Sequence, residues 1–421
     1  MKANRGLTPS GEFRTIRTQG ESFRAFIPAK LVRTVPYKLT PNDLLLNDEA
    51  RAALARLDGL AQVIPDVELF VLMYLRKEAL LSAQIEGTQS SLSDVLLFEN
   101  EEAEDEASDA VEVVDYIRAL RHGIARLPKL PLSARLLNEI HKRLLGSGRG
   151  RERGPGEFRR TQNWIGGTRP GNARYVPPPA GDLHVCIRDF EEFLNDPNPK
   201  ELPLVRVARI HAQFETIHPY LDGNGRLGRL LITLCLIEYG VISQPLLYLS
   251  LYLKRHRDAY YEMLQRTRTH SEWNQWIRFF LEGVRDTALQ ASQTAQSIVA
   301  RFKEDRATID GSKRGTAAVR RLHEELQRAP MLTITRAVKL TGYTHPTLTK
   351  SFGTLESLGI VREISGRQRG RTFEYRSYLR LLDDGTEPLR RAGARTASDV
   401  KPRRSFRSAQ HASGENPLVV R

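Results

Sequence analysis

The sequence predicts an all-α protein that contains one β-hairpin in its body and carries a smaller, basic module at its C-terminal end. Three observations support this fold class. Apolar residues recur at helical spacing along most of the chain between residues 43 and 302. In the stretch from Trp164 to Pro179, strand-forming residues bracket Gly, Pro and Asn, which predicts a hairpin. The positive charge is concentrated behind residue 313.

The composition excludes several classes of protein. The chain has 421 residues, of which 40% are hydrophobic and 27% charged, and these values are typical of globular proteins. Its longest apolar run, Leu230 to Ile237, is far shorter than the ~20 residues that cross a bilayer. Two cysteines, Cys186 and Cys235, rule out a disulfide framework and a four-cysteine zinc site. Because the N-terminus lacks an apolar leader, we expect a cytoplasmic protein with no membrane partner.

The N-terminal region, residues 1–110, contains the first predicted helices. Its first forty residues are polar and show no period, so we expect a loosely ordered lead-in. Helical spacing begins at about Asp43–Leu60 and becomes stronger from Val67 to Glu86, where it stops at Gly87, the residue type expected just after a helix. The acidic stretch from Glu99 to Asp109 is predicted to be a solvated loop.

The central region, residues 111–310, is predicted to consist of helices interrupted by the hairpin, which we call the flap. A loop rich in glycine and arginine, Gly146 to Gly156, precedes the flap. The periodicity predicts the helices Ala110–Arg126, Ser133–Leu145, Leu183–Leu194, Leu204–Ile217, Arg226–Tyr239, Tyr252–Arg268 and Trp273–Phe302.

The C-terminal region, residues 311–382, is predicted to be a winged helix-turn-helix. Residues 314–421 contain 21 Lys and Arg against 10 Asp and Glu, a net charge of +11, so the first 313 residues carry only +3 of the total +14. Three helices followed by a basic hairpin is the order of elements in a winged helix. These elements are Ala317–Gln327, Ile334–Thr341, His345–Leu358, Val361–Ile364 and Arg371–Tyr375. Residues 383–421 are predicted to be a basic disordered tail.

Contact with DNA is the use that we favour for this module. The recognition helix would be Thr344–Leu358, and the wing turn would present Arg367, Arg369 and Arg371 to phosphates. Winged helices also serve as dimerisation or protein-docking modules, and the sequence leaves that alternative open.

The most informative segment is the loop between the predicted helices Leu204–Ile217 and Arg226–Tyr239. Both helices are strongly apolar, so the loop is held at each end by the core. A Pro, an Asp and two Gly around an Asn turn the chain sharply. Such a loop exposes the free N–H groups at the start of the second helix, where the helix dipole also favours anions.

Charged side chains in this loop predict a polyphosphate site. Arg226 and Arg229 are three positions apart, so both project from the same side of the first helical turn, where a cation is unfavourable unless an anion compensates it. Asp222 is a hard oxygen ligand suited to Mg²⁺, and His218 can take a proton at neutral pH. Each residue alone has an ordinary structural explanation, but their combination within twelve positions favours a ligand. A Walker A loop is excluded because its Lys-Ser/Thr pair is missing.

The segment His218–Arg229 resembles the motif of the Fic (filamentation induced by cAMP) family, H-P-F-x-D/E-G-N-G-R-x-x-R, with Tyr220 in place of Phe. Phe158–Gly167 and Tyr175–Pro178 are similar to the flap hairpin of that family. A further similarity, to the segment behind the nucleotide, is carried by Tyr260, Tyr261, Trp273 and Trp276. The resemblance covers residues 40–300 and leaves the C-terminal module outside it.

The resemblance implies transfer of AMP from ATP, with Mg²⁺, onto a hydroxyl of a target protein. His218 would be the catalytic base, and Asp222 would hold Mg²⁺ against the α- and β-phosphates. Backbone amides from Gly223 to Gly225 would stabilise the charge on the phosphate. Arg226 would serve the β-phosphate and Arg229 the γ-phosphate.

The flap would dock the target. Its segment Tyr175–Pro177 would accept an extended part of the target protein as an added β-strand. Tyr260 and Tyr261 are candidates to flank adenine, although both could equally be core aromatics. The implied nucleotide-binding residues are Glu86, Tyr175, Val176, His218, Asp222, Gly223, Asn224, Gly225, Arg226, Leu227, Gly228, Arg229, Tyr260 and Tyr261.

Glu86 occupies an unusual place for an acid. A carboxylate in the last turn of a helix faces the negative end of the dipole, which costs a few tenths of a kcal/mol, a penalty that a solvated surface residue would tolerate. However, the sequence Ser82-x-x-x-Glu86-Gly87 is similar to an inhibitory motif that many Fic proteins carry before their core. The resemblance implies that Glu86 pairs with Arg229 and leaves ATP bound in an unreactive pose. We therefore predict autoinhibition.

Three functions are compatible with these motifs. The first is an autoinhibited protein adenylyltransferase, which the intact His218, Asp222 and Arg229 favour. The second is a DNA-binding regulator in which the Fic fold has become a sensor or docking unit. The third is the same fold with other chemistry, such as another nucleotide, phosphoryl transfer or removal of AMP. From the habit of the family we also expect a homodimer.

Overall fold

The structure, a computed structural model, describes residues 7–8, 10–18, 20–31, 37–63, 67–101, 109–148, 150–197, 201–367 and 370–389. In these ranges the chain forms fifteen α-helices and two three-stranded antiparallel sheets, which confirms the prediction of a mostly helical protein. None of the helices in the described ranges combines the length and the apolar character needed to span a bilayer.

The N-terminal residues form a sheet, so the predicted loosely ordered lead-in is wrong. In β3 the residues alternate, with Phe23 and Ala25 buried and Arg24 between them exposed. This alternation covers only a few residues in a charged segment, which is why the sequence pattern did not reveal it. The strands are β1 (Leu7–Thr8), β2 (Gly11–Arg17) and β3 (Ser22–Pro28), paired in that order.

Three helices follow, and the second of them lies in the centre of the molecule. They are α1 (Pro41–Val63), α2 (Val67–Ile85) and α3 (Leu92–Glu101). Every residue of α2 from Met73 to Ile85 is buried, including Arg76, Lys77 and Glu78. The predicted acidic loop begins inside α3, because this helix continues through Glu101, and residues 102–108 lie outside the described residues.

The central region forms the helices that the periodicity predicted, with ends that differ by a few residues. They are α4 (Ala110–Arg126), α5 (Ala134–Leu144), α6 (Leu183–Leu194), α7 (Pro203–Ile217) and α8 (Asn224–Glu238). Ser133 caps α5 by accepting a hydrogen bond from the N–H of Leu136. From Leu204 onwards every residue of α7 is buried, and α8 packs directly against it. The loop between these two helices therefore starts and ends in the core.

The flap is less regular than a hairpin. A single antiparallel bridge joins Ile165 to Tyr175, and a short 3-10 turn over Pro170–Asn172 completes the connection. On its outer side the flap meets the N-terminal sheet, where the N–H of Phe26 donates to the carbonyl of Val176 at 2.9 Å. The edge that was predicted to dock a target strand is thus already paired at Val176.

The next helices are α9 (Ser250–Arg255), α10 (Arg257–Thr269) and α11 (Trp273–Gly311). The single helix predicted for Tyr252–Arg268 is interrupted at His256, which has non-helical backbone angles. The helix predicted for Trp273–Phe302 continues to Gly311 and spans 39 residues. Its end coincides with the boundary that the sequence placed near residue 311.

The C-terminal module contains the three predicted helices and the two predicted strands, together with a short strand and a helix that were not predicted. In chain order they are α12 (Ala317–Arg328), β4 (Met331–Thr333), α13 (Ile334–Thr341), α14 (His345–Ser357), β5 (Arg362–Glu363), β6 (Thr372–Glu374) and α15 (Arg376–Asp383). The sheet order is β4-β6-β5. The winged-helix assignment and the domain limits at residues 110, 310 and 382 stay predictions. The predicted disordered tail is wrong for its first residues, because Asp383 ends α15 and Thr386 is buried. The wing residues Gln368 and Arg369 and the tail from residue 390 lie outside the described residues.

Candidate active site

The loop between α7 and α8 is closed by side-chain hydrogen bonds. After α7, His218 has a left-handed backbone (φ 48°, ψ 61°), and α8 begins after Gly223, which is also left-handed (φ 73°, ψ 4°). Asn224 fastens the turn, because its Oδ1 accepts from the N–H of Tyr220 at 2.9 Å and its Nδ2 donates to the carbonyl of Tyr220 at 2.8 Å. The turn therefore needs glycine at 223, where φ is positive, and an amide side chain at 224.

His218 is held in a strained conformation at the end of α7. Only one other non-glycine residue in the described part of the chain, Ser271, has a positive φ, and such strain is typical of functional sites. The carbonyl of His218 accepts hydrogen bonds from Arg159 Nε at 3.0 Å and from Asn163 Nδ2 at 3.3 Å. Burial, together with the cations Arg268 and Arg159, lowers the pKa of His218 to about 3. The imidazole is thus neutral at physiological pH and can accept a proton.

The loop rests on His141 of α5, a residue that the sequence analysis did not single out. Its ring stacks on Tyr220 with the centroids 3.7 Å apart. Its Nδ1 accepts a hydrogen bond from the N–H of Gly156 at 2.8 Å, so Nε2 carries the proton and donates to the carbonyl of Asp222 at 3.0 Å. Burial lowers the pKa of His141 to about 4, which keeps this tautomer neutral.

Arg226 and Arg229 are both buried, and each faces a different carboxylate of the chain itself. Arg226 Nη1 lies 3.4 Å from Glu112 Oε2 on α4. Its Nε and Nη1 donate no hydrogen bond to any of the described residues. Arg226 is therefore a buried cation with hydrogen-bonding capacity for an anion.

Arg229 is joined to the end of α2 by three hydrogen bonds. Its Nε donates to Ser82 Oγ at 2.8 Å, and its Nη2 donates to the Ser82 carbonyl at 3.0 Å and to Glu86 Oε1 at 2.8 Å. Desolvation favours the neutral form of Glu86, but Arg229 outweighs it and lowers the pKa of this carboxyl below its usual value. Gly87 follows with φ 103°, so the chain turns away directly after Glu86. Ser82, Glu86 and Arg229 thus lie together as the resemblance implies.

Asp222 has the properties of a single carboxylate ligand for Mg²⁺. Its side chain is 45% exposed, and its Oδ1 accepts a hydrogen bond from the N–H of Gly223 at 2.7 Å and lies 4.0 Å from Arg226 Nη2. The described residues contain no group of three or more acidic, His or Cys ligands that could hold a metal ion. One exposed carboxylate fits Mg²⁺ that is bound mainly by phosphates.

A cavity of about 490 Å³ lies between the flap, α8 and α10. It is large enough for a small organic ligand. From the predicted set, the residues that line it are Glu86, Tyr175, His218, Gly225, Arg229, Tyr260 and Tyr261. The Tyr260 ring is almost fully buried, and its hydroxyl shares a hydrogen bond of 2.8 Å with His211 Nε2.

Some predicted residues do not line the cavity. Leu227 is fully buried in the core, and Gly228 lies beneath Glu215, whose Oε1 would be 2.3 Å from a Cβ at this position. Val176 packs against Phe23 and Ala25 of the N-terminal sheet. The others, Asp222, Gly223, Asn224 and Arg226, lie in the adjoining loop and the first turn of α8.

Two buried charged residues of the cavity wall were missed. Glu215 on α7 is buried, and its desolvated carboxyl has a pKa of about 7. Arg268 on α10 lies 3.9 Å from the centroid of the Tyr175 ring and donates to the carbonyl of Glu215. A charged residue in the apolar α7, three positions before His218, was the available signal for Glu215. Nothing in the local sequence distinguishes Arg268 from other arginines.

Comparisons with known proteins agree with this geometry. Residues 44–125 match the model described as the Fic/DOC family N-terminal region, and residues 131–236 match the Fic/DOC family model. The protein adenylyltransferase Fic of Culex quinquefasciatus is 40% identical over 133 residues, which are 31% of this chain and 23% of that protein. The protein of the same name from Drosophila grimshawi is 36% identical over 138 residues, 32% of this chain and 26% of that protein. The chain thus spans about a quarter of the length of these relatives.

A solved structure shares the fold. The crystal structure of a Fic family protein from Desulfovibrio desulfuricans is similar with a TM-score of 0.52 and 19% identity, over 81% of this chain and 97% of that chain. The family matches over residues 44–125 and 131–236 show a Fic domain of the Fic/DOC type in this part of the chain, and the shared fold agrees with them.

Proposed function

We propose that this chain is a protein adenylyltransferase that is held inactive by its own helix α2. The observation that carries the proposal is the position of His218 in one cavity with Arg229 and the start of α8. A neutral base, a buried cation and free helix amides thereby meet beside two aromatic rings. The names of the curated relatives support the same activity.

The proposed reaction is an in-line displacement at the α-phosphorus of ATP. The neutral His218 takes the proton from a target hydroxyl while the hydroxyl oxygen forms a bond to the α-phosphorus. The bond from the α-phosphorus to the bridging oxygen breaks, and pyrophosphate leaves. The amide of Gly223 already donates to Asp222, so the stabilising amides are those of Asn224, Gly225 and Arg226 in the first turn of α8.

Mg²⁺ would be held by Asp222 and would neutralise phosphate charge during the transfer. Arg226, buried with unused hydrogen-bonding capacity, supports binding of an anion beside it.

The proposed inhibition follows from the bonds of Arg229. While its Nη2 is bound to Glu86, this guanidinium cannot turn towards a γ-phosphate without leaving a buried charge unpaired. Nucleotide can then enter the cavity but cannot take up the pose needed for displacement. Loss of the Glu86 carboxylate would release Arg229.

The test is incubation of the purified Glu86→Gly protein with α-³²P-labelled ATP or GTP, Mg²⁺ and cell lysate. We expect labelled protein bands at least tenfold stronger than with wild type, since a charge-assisted hydrogen bond contributes about 1.5–3 kcal/mol. The matched control is Glu86→Gln, which keeps the shape and removes the charge and should give an intermediate signal. Adding His218→Ala to Glu86→Gly should abolish labelling. A folded Glu86→Gly protein that binds Mg²⁺–ATP in calorimetry yet labels no more than wild type would refute the inhibitory role.

The target is proposed to dock at the mouth of the cavity. Trp164 and Leu221 are 39% and 42% exposed there, on the flap and in the loop. Because the Val176 carbonyl is paired with β3, an added target strand would pair with the opposite edge of the flap, at Trp164–Gly166. Replacement of Trp164 by Ala should then reduce labelling of other proteins more than self-labelling.

DNA contact by the C-terminal module is a second, separate proposal. Its support is the exposed start of α14, with His345 and Lys350, next to the exposed Arg367. Binding of random duplex DNA that weakens steeply with salt, and weakens further in Lys350→Ala, is the expected result. Salt-independent binding or none would contradict it.

A further inference from the structure

We propose that Glu215 is the positioning residue of the catalytic base, and that its carboxylate holds the imidazolium that His218 forms during transfer. This inference rests on the proposed function. It adds a second group to a proton transfer that the Fic motif alone assigns to His218.

The geometry places a buried carboxylate near a buried ring nitrogen that has no hydrogen-bond partner among the described residues. Glu215 Oε2 lies 3.9 Å from His218 Nδ1, one turn away on the same helix. Neither His218 Nδ1 nor Glu215 Oε1 makes a hydrogen bond with any residue that the structure describes. The carboxyl is kept beside the imidazole by Gly228, because a Cβ at 228 would come within 2.3 Å of Oε1. Buried polar atoms are nearly always satisfied, so this pair calls for a role.

Charged groups on several neighbouring elements act on the carboxyl of Glu215. Arg229 and Arg268 favour its ionised form, whereas Glu86 opposes it. Desolvation is the largest effect and raises the pKa of Glu215 to about 7. The titratable groups that face it are His218, Arg229, Glu86, Arg268, Tyr260, Tyr261 and Tyr175.

The chemical step follows from this arrangement. When the hydroxyl proton passes to Nε2 of His218, the ring becomes a cation with N–H at both nitrogens. The nearby Arg268 and Arg159 oppose this cation, and they lower the pKa of His218. An ionised Glu215 accepts the N–H of Nδ1 and offsets the two arginines. The proton returns to solvent from Nε2 after pyrophosphate leaves, so Glu215 itself gains and loses no proton.

The kinetic test uses the full chain carrying Glu86→Gly, with and without Glu215→Gln. We expect the turnover number of Glu215→Gln to fall about tenfold or more while KM for ATP stays within twofold, as for loss of a group that acts only in the transition state. The rise of activity with pH near 7 should disappear. In Glu215→Asp, which keeps the charge, the rise should persist. A raised KM for ATP at unchanged turnover would instead make Glu215 a ribose ligand and overturn the proposal, as would unchanged kinetics.

A second readout does not need transfer activity. In ¹⁵N-histidine-labelled protein, the ring-nitrogen shifts of His218, assigned by their loss in His218→Asn, should inflect near pH 7 in wild type and not in Glu215→Gln. If the inflection occurs in both proteins or in neither, Glu215 and His218 are not coupled. Absence of labelling by Glu86→Gly with a normal inflection would count against the adenylyltransferase and not against the coupling.

A different set of contacts leads to a second inference: the segment Asp384–Pro388, which we call the latch, holds the inhibitory end of α2. The latch follows α15 directly and lies against Gln84, a residue between Ser82 and Glu86. Displacement of the C-terminal module would therefore act on the pairing of Glu86 with Arg229.

The latch is bonded to α2 by buried groups. Gln84 Nε2 donates to the Thr386 carbonyl at 2.7 Å, and both residues are almost completely buried. Lys254 Nζ donates to Gln84 Oε1 at 2.6 Å, to the Gly385 carbonyl at 3.0 Å and to the Glu387 carbonyl. One ammonium group thus ties α9, α2 and the latch together. Loss of this ammonium group removes the donor for Gln84 Oε1 and for the carbonyls of Gly385 and Glu387, which favours departure of the latch.

The test is Lys254→Met, which removes the ammonium and keeps most of the side-chain volume. If the latch acts through Glu86, self-labelling should rise about five- to tenfold in the wild-type background and less than twofold in Glu86→Gly, a coupling of the usual allosteric size. Equal changes in the two backgrounds would overturn the inference.

Gly385→Val is an independent variant, because a Cβ there would come within 2.5 Å of Leu251. In both variants, amide exchange should increase together in residues 80–88 and in the latch, and protection unchanged in either segment would also refute it.

Discussion

Asn224 and Tyr220 lie four residues apart in the turn that carries the proposed chemistry, and they contribute to it differently. Asn224 is buried and bonds to both backbone groups of Tyr220, so it closes the turn from within. The hydroxyl of Tyr220 donates to Asn138 Oδ1 at 2.8 Å, at the back of the loop. The first interaction sets the backbone at His218, whereas the second adds only a distant hydrogen bond.

Replacement of Asn224 by Ala should lower the free energy of unfolding by about 1–3 kcal/mol, because the buried N–H of Tyr220 loses its partner while the Tyr220 carbonyl keeps its bond from Asn163. It should also remove labelling in the Glu86→Gly background. Tyr220→Phe is the matched variant and should cost about 1 kcal/mol with labelling within twofold. Urea unfolding and radiolabel transfer measure both effects. Equal losses in the two variants would mean that Asn224 does not set the turn.

At the scale of residues, the sequence predicted those side chains whose roles follow from a contiguous motif. Ser82, Glu86 and Arg229 were expected together, and they are bonded. The partners of Arg226 and of the loop, Glu112 and His141, could not be predicted, because they come from α4 and α5 and are placed by packing alone.

At the scale of elements, the flap is fastened to the catalytic loop by one arginine. Arg159 donates to the carbonyls of His218 at 3.0 Å, Thr161 at 3.2 Å and Pro178 at 2.5 Å. Its neighbour Arg160 has an 88% exposed side chain and pairs only loosely with Glu157. The buried guanidinium of Arg159 therefore links the flap to the loop.

Arg159→Ala should lower the free energy of unfolding by about 2–4 kcal/mol and reduce labelling more than a hundredfold, because three carbonyls, of which that of Pro178 is buried, and the orientation of His218 are affected together. Arg160→Ala should change the stability by less than about 0.5 kcal/mol. Thermal unfolding and transfer rates in the Glu86→Gly background measure the contrast. A folded Arg159→Ala protein with full activity would show that the flap is positioned by other contacts.

The elements that the sequence pattern did not predict depend on contacts between distant parts of the chain. The strands β2 and β3 bury one face against the flap. Because their alternation covers only a few residues, the sequence alone does not show that this face is buried. The interruption between α9 and α10 at His256 lies where the His256 ring meets Phe279 of α11 with centroids 6.4 Å apart, a tertiary contact that periodicity does not report. Long apolar helices such as α7 and α8 were predicted well because their burial is nearly complete.

At the scale of the whole molecule, three buried histidines and the half-buried His218 remain neutral in the folded protein. Burial lowers the pKa of each to about 3 or 4, from the usual 6.5. These residues are His141, His211, His218 and His323. The unfolded chain binds protons at these sites below pH 6.5 and the native protein does not, so the histidines destabilise the fold as the pH falls from 6.5 towards 4. The buried carboxyls Glu78 and Glu215, with pKa values of about 7, act in the opposite direction between pH 4.5 and 7.

His323 in the C-terminal module offers a clean measurement of this linkage. It is completely buried and lies 3.1 Å from the Tyr375 hydroxyl. The slope of the unfolding free energy against pH, measured between pH 5 and 6, should be smaller in His323→Gln than in wild type. The expected difference is about 1.4 kcal/mol per pH unit, which is the contribution of one proton. Replacement of the exposed His345 by Gln should leave the slope unchanged. Identical slopes in wild type and His323→Gln would contradict the assigned neutral state.

The arrangement of modules around α2 is the feature of the whole molecule that the sequence concealed. Charge asymmetry indicated a separate basic module, but it gave no sign that residues of this module would bond to Gln84 and Lys254. Such contacts depend on side chains that are more than one hundred residues apart, and only the folded chain brings them together.

The burial of α2 also decides how an enzyme of this design can be switched on. A zymogen is activated when a protease clips away its pro-segment, which works because that segment covers a core that is complete without it. Here thirteen consecutive residues of the proposed inhibitory helix, from Met73 to Ile85, belong to the core itself. Excision would unfold the protein, so under the proposed inhibition activation would proceed by a reversible displacement at the end of α2.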